Sequence, residues 1–236
     1  MRFVNTLFVG LIAAPCVFAD IAELEILGFS DHGKVFVFQQ SGTTGGAGFS
    51  YSERHYIYTE NSRHVLGSPV FLEDTTGRKS PHQVSRDLLK ILTKKQSTFS
   101  LTAHDTVAVR LSTDVSSDPN TLSFYLSEGA ILRGEAPYTV SINPMPASKA
   151  NDCAPFEEVS LGLTLTQRSS LPATTRSTRT VFQPLKHWGC VLHFQVSGAY
   201  LFQIEDVPLA LGVIVRVRLR GFEGPKIRWM GLGFKL

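Results

Sequence analysis

Apolar and polar residues alternate with a period of two along most of this chain. Ala22 to Phe29 reads as a strand, Ser30-Asp31-His32-Gly33-Lys34 offers Asp and Gly to a tight turn, and Val35-Phe36-Val37-Phe38-Gln39 resumes extended structure. The four consecutive apolar residues from Val35 to Phe38 predict a second strand buried on both faces. Arg54 to Tyr58 and His64 to Leu72 read as further strands, the latter carrying Gly67-Ser68-Pro69, where proline predicts an edge or a break. Thr106 to Leu111, Thr121 to Leu126, Ile131 to Ile142, Glu157 to Thr166, Thr178 to Phe182, Val191 to Ile204 and Leu209 to Arg220 extend the pattern.

One stretch breaks that period. Ser80-Pro81-His82-Gln83 has a capping serine, proline at the first helical position and glutamine at the third, so two backbone donors are satisfied reciprocally. Val84, Leu88, Ile91 and Leu92 follow at helical spacing, and Lys94 and Lys95 suit the negative end of the helix dipole. The spacing predicts an amphipathic helix near residues 81–96 whose apolar stripe packs on a sheet. Asn143-Pro144-Met145-Pro146-Ala147-Ser148 is expected to sustain neither ladder nor helix. It divides an N-terminal β-rich half, residues 20–142, from an antiparallel β half, residues 153–236, with 143–152 as linker. The expected fold is therefore mainly β, a β-rich α+β chain of antiparallel hairpins with a C-terminal antiparallel sheet or sandwich. The alternative is a small or incomplete β-propeller.

Composition agrees with strands: Phe numbers 16 and Met only 3. The N-terminus adds a compartment. Arg2, the largely apolar run from Phe3 to Ala14 and the small residues of Val17-Phe18-Ala19 form a secretory signal expected to be cleaved after Ala19. That run is too short to span a bilayer, and no later stretch is long enough. Pro15 directly before Cys16 argues against lipidation there. Cleavage removes Cys16 and leaves Cys153 and Cys190 as an even pair in an oxidising compartment, where a structural disulfide is expected. Neither cysteine sits in a C-x-x-C or zinc-type spacing.

Charge excludes one class of partner. Lys and Arg number 23 against 20 Asp and Glu, and losing Arg2 lowers the excess further, so no field for nucleic acid is expected. Ser41 to Ser52 is rich in Gly, Ser and Thr but lacks the flanking helix of a phosphate-binding loop; it is expected as a surface loop in which Phe49 and Tyr51 are candidate recognition aromatics. Asp114 to Asn120 places oxygen ligands at alternate positions without the glycine or closing glutamate of a calcium loop, so a solvated turn is expected, with no metal and no cofactor. His32 reads as a solvated turn residue. In the last predicted strand Val215, Val217 and Leu219 face one way while Arg216, Arg218 and Arg220 face the other, at intervals of about 7 Å. Such a row suits carboxylates or phosphates; its structural alternative is a solvated sheet face with acidic cross-strand partners.

These residues together resemble a family of bacterial predicted secreted proteins of unknown function. The likeness runs through Ile26-Leu27-Gly28-Phe29-Ser30 with Asp31, Gly33, Phe36 and Phe38, then Gly48-Phe49 with Tyr51, Gly67-Ser68-Pro69-Val70, Cys153 with Pro155-Phe156, Cys190, and Gly221-Phe222-Glu223-Gly224-Pro225. Ser50 stands where members often carry proline. The resemblance implies export but no established activity. The first hairpin also resembles a strand pair from TolB-type propeller blades, although only one such copy is present and a propeller needs typically about four to eight.

The expected function is that of a noncatalytic exported protein, periplasmic or secreted, binding an envelope protein or an anionic envelope component through loops or the arginine row. Its rival is a periplasmic hydrolase with an unrecognised active site. No G-x-S-x-G or H-E-x-x-H motif is present, and His104 with Asp105, or His187 near Cys190, are the places such a site would start. A purely structural protein whose sheet edges pair with another chain is a third reading.

Overall fold

The structure, a computed structural model, describes residues 20–30, 32–44, 48–94, 101–102, 106–109, 118–125, 128–134, 137–146, 159–167, 178–182, 190–205, 207–221 and 224–236. The expected signal peptide 1–19, Cys153, His104, Asp105 and His187 lie outside the described residues, as does most of the Asp114 to Asn120 stretch.

Antiparallel strands dominate, as the alternation predicts. β1 (Glu23–Ser30), β2 (Val35–Thr44), β3 (Phe49–Tyr58), β4 (Val70–Asp74) and, after α1 (Pro81–Lys94), β5 (Leu101–Thr102) build a first sheet in the order β4-β3-β2-β1-β5. The capping box forms as predicted: Ser80 N donates to Gln83 Oε1 at 2.8 Å and Gln83 N to Ser80 Oγ at 3.3 Å. Val84 and Leu88 of α1 are buried, whereas Ile91 is half exposed, so the apolar stripe is narrower than expected. The helix lies against β2, β3 and β4. It therefore covers the first sheet's outer face, and β2 is buried on both faces from Val35 to Ser41.

Beyond it, β6 (Thr106–Val109), β7 (Thr121–Phe124), the short helix α2 (Glu128–Leu132), β8 (Tyr138–Pro146), β9 (Val159–Gln167), β10 (Thr178–Phe182), β11 (Val191–Ile204), β12 (Val207–Leu219) and β13 (Lys226–Lys235) form two more sheets, ordered β13-β12-β11-β6 and β10-β9-β8-β7. The β13-to-β6 sheet lies in the middle. On one face Leu211, Val213, Val215, Val217, Met230, Leu232 and Phe234 pack with Leu122, Phe124, Val140 and Ile142 of β7 and β8. On the other, Ala210, Ile214 and Phe202 pack with Phe29, Phe36, Phe38 and Ile57 of the first sheet. That second contact is close because glycines face the phenylalanines: a Cβ on Gly212 would lie 2.5 Å from the Phe36 ring, and one on Gly231 would strike Phe38.

Several expectations are corrected here. The three sheets stack face to face, which is a layered arrangement and not the propeller alternative. β8 continues through Pro144 and Pro146, paired with Leu161 and Val159, so the proline-rich stretch is sheet up to residue 146. β7 pairs only with residues 138–141 of β8, so at both prolines the strand is paired, among the described residues, on the β9 side alone, an edge-like position that tolerates proline. The expected halves also share sheets, since β6 pairs with β11 and β8 with β9. Ile131 and Leu132, where a strand is expected to begin, end the helix α2, and Ser41 to Ser52 is largely the β2–β3 hairpin, with Ser41 opposite Ser52 and Thr44 opposite Phe49.

Candidate functional site

The alternation of β12 decides what its middle-sheet face offers. Ala210, Gly212 and Ile214 point toward the first sheet and are covered by it; two and four residues further on, Arg216 and Arg218 point the same way and are exposed. Val215, Val217 and Leu219, on the opposite face, are fully buried as predicted. The first sheet ends before the arginines do. They are left on open sheet, on the floor of a groove of about 360 Å³ lined by Ile21, His193, Gln195, Arg216, Arg218, Pro225 and Ile227.

Strand register explains this lining. Arg216 lies between Gln195 of β11 and Trp229 of β13, and Arg218 between His193 and Ile227. None of these neighbours is acidic, which contradicts the reading of a sheet face laced by cross-strand ion pairs. Neither guanidinium makes a hydrogen bond or ion pair with a described residue. Arg220 is also exposed, but it lies beyond the end of β12, with its backbone N–H donating to Cys190 O at 2.9 Å, and it does not line the groove.

The wall beside β13 is made by the chain at Asp20 to Ala22. Ile227 N donates to Asp20 O at 2.8 Å, and Ala22 N to Ile227 O at 3.1 Å. The Asp20 carboxylate accepts two bonds from Arg228, from Nη1 at 3.2 Å and Nη2 at 3.0 Å, with both side chains more than nine-tenths buried. Trp229 Nε1 donates to Ala22 O at 2.7 Å. Further along, side chains replace a missing strand: Gln40 bonds both N–H and C=O of Trp229, and Ser62 Oγ both those of Gly233. The outer edge of β13 is closed to pairing at these positions.

The aromatics expected on a loop are strand residues. Phe49 is half-buried at the start of β3, and Tyr51 is 2% exposed, with the Arg228 guanidinium 4.5 Å from its ring centre. Burial pushes the Tyr51 phenol up, against the pull of Arg228. Tyr51 is thus a buried residue of the β2–β3 hairpin and not the exposed loop aromatic expected. His32 is an exposed turn residue, as expected.

A second polar cluster lies between the first two sheets. Gln40 Nε2 is 3.1 Å from both Glu53 Oε2 and His55 Nε2, and His55 Nδ1 is 3.2 Å from His64 Nε2. Burial, reinforced by His55, lowers the His64 pKa to about 4. The His55 ring stacks on Phe38 with centres 4.4 Å apart and spends its two nitrogens in different directions. Among the described residues no group of three His, Cys, Asp or Glu is placed to hold a metal ion, and no helix is long and apolar enough to cross a membrane.

Sequence reasoning found Arg216 and Arg218 but missed His193, Gln195, Ile21, Pro225 and Ile227. Alternation along one strand shows which of its own residues share a face; which residues stand beside them depends on register, and no motif encodes it. No curated protein and no solved structure matches this chain, so the propeller-blade likeness of the first hairpin gains no support. A family model does match, over residues 37–235, which takes in every strand from within β2 to β13. The chain belongs to that family, DUF2259, whose description is predicted secreted protein.

Proposed function

We propose that this protein is a noncatalytic exported binding protein, acting in the periplasm or outside the cell, that holds an anionic envelope component over Arg216 and Arg218. The observation that supports the reading is a pair of exposed arginines in one concavity whose cross-strand neighbours are Gln195, Trp229, His193 and Ile227. A guanidinium stays charged at physiological pH and presents a fixed fork of donors, so two of them about 7 Å apart suit phosphate or carboxylate oxygens. Gln195 adds an amide donor. Among the described residues the lining contains no Ser, Cys, Asp or Glu to serve as nucleophile or carboxylate base, which favours capture over turnover.

Export rests on the N-terminal pattern and on the family's description as secreted. In this reading cleavage after Ala19 makes Asp20 the first residue, and Cys153 pairs with Cys190 after export. A disulfide closing that loop contributes roughly 3 to 4 kcal/mol in the chain-entropy model. Nonreducing peptide mapping of the exported protein checks it: a linked peptide is expected, and two thiols free to alkylate contradict the pairing.

Binding is tested with two probes, inorganic pyrophosphate by titration calorimetry and phosphatidylglycerol vesicles by flotation. The wild type is expected to bind at least one of them, more weakly as salt rises. The Arg216→Gln/Arg218→Gln variant should keep its circular dichroism and lose the binding. Equal binding by this folded variant, or none by the wild type, overturns the proposal.

A further inference from the structure

The geometry points to an amphiphilic anion as the ligand, a phosphate or carboxylate bearing an alkyl arm, with Asp20 as the positioning residue for the wall that receives the arm. This inference rests on the anion reading of Arg216 and Arg218 and narrows it to a ligand class. One side of the groove is cationic and polar: Arg216, Arg218, Gln195 and His193. The other is apolar: Ile21, Pro225 and Ile227. A bare anion would be served by the first side alone. The second adds a surface whose contact with water is relieved only when something apolar lies on it.

Ile21 is the telling residue. Its side chain is 56% exposed, yet the backbone on either side of it is fixed by bonds to Ile227 from Asp20 and Ala22. The Asp20–Arg228 fork anchors this segment from beneath, and the Trp229 indole holds Ala22. Arg228 lies over the Tyr51 ring and is absent from the groove lining. Asp20 is thus turned away from the anion and its charge is matched by Arg228, so it shapes the site without repelling the ligand. The segment holds an exposed isoleucine in place beside two cations, as a headgroup-and-tail ligand requires.

The test compares inorganic phosphate with hexyl phosphate, by calorimetry on the exported protein. Seating two methylenes on the wall is expected to favour hexyl phosphate by about tenfold. Ile21→Ala should cut that preference several-fold while leaving inorganic phosphate unchanged. Asp20→Asn should do the same, with Asp20→Glu recovering part of it. In a Trp188→Phe background, Trp229 emission reports whether residues 20–22 remain docked. Vesicles of phosphatidylglycerol separate the sources: flotation of the wild type and not of Ile21→Ala assigns a lipid, and hexyl phosphate binding without flotation assigns a free amphiphile. Loss of both phosphates in Arg216→Gln/Arg218→Gln with an unchanged preference in Ile21→Ala overturns this inference and leaves the anion site standing. A shifted Trp229 emission in Asp20→Asn with an unchanged preference removes the positioning role. Binding of neither phosphate by the wild type overturns both readings.

Discussion

One face of β12 passes through two environments. Over Ala210, Gly212 and Ile214 it is roofed by the phenylalanines of the first sheet; over Arg216 and Arg218 it is open. The alternation is the same in both regions, and the opposite face is uniformly apolar from Leu211 to Leu219. What differs is side-chain size and charge, and each matches what stands across from it. Where a second sheet covers the strand, only hydrogen or an apolar side chain fits, hydrogen alone where a phenylalanine ring comes closest; where the roof ends, long cations without acidic cross-strand neighbours are tolerated because water solvates them. The open region is therefore the one free to serve a ligand, and the roofed region holds it rigid.

The largest effect is expected where the roof is tightest. Gly231→Val sets a branched side chain into Phe38, and overpacking of this kind costs about 3 kcal/mol or more. Urea denaturation should show a strongly lowered midpoint or no folded protein; a midpoint near wild type would mean that the two sheets are not in close contact. Arg228→Ala leaves the buried Asp20 carboxylate unpaired and should cost about 3 to 5 kcal/mol by the same assay. A cost below about 1 kcal/mol would place Asp20 in solvent.

An intermediate effect is pH-dependent. The folded-state pKa of His64, about 4, lies below its ordinary 6.5, so between these values the unfolded chain binds a proton that the folded chain does not. Stability should fall as pH drops from about 6.5 to about 4, by up to about 3 kcal/mol from this group. His64→Gln should flatten that part of the profile, and an unchanged slope would remove His64 as its cause. Smaller again is the helix cap: Ser80→Ala should cost about 1 kcal/mol. At the open end of the same strand, Arg216→Gln/Arg218→Gln should leave the midpoint nearly unchanged. A large loss there would make the arginines structural and erase the contrast between the two regions.

The strands of this fold are legible where alternation or apolar runs are strong: Val191 to Ile204 is the extent of β11, and Thr178 to Phe182 that of β10. The helix start is legible because a capping box is local chemistry. Pro144 and Pro146 mislead because a break is inferred from residue type, whereas pairing with β9 is decided by sequence far away. Phe49 and Tyr51 mislead for a related reason: glycine and serine can lie in paired strands when the partner strand supplies the ladder, as Ser41 opposite Ser52 and Gly42 opposite Tyr51 do here, the glycine leaving room for the tyrosine ring. Of the groove, the arginines are readable from one strand. Its remaining lining comes from His193 and Gln195 of β11, Pro225, Ile227 at the start of β13, and Ile21, which only tertiary structure assembles.

The most direct test of the groove is photocrosslinking in the exporting cell with a photoreactive amino acid at position 193, inside the lining, and at position 82, on the exposed face of α1. An anionic envelope molecule captured at 193, absent at 82 and lost in Arg216→Gln/Arg218→Gln, is the predicted result. The same products at both positions, or capture at 193 that persists without the arginines, would contradict it.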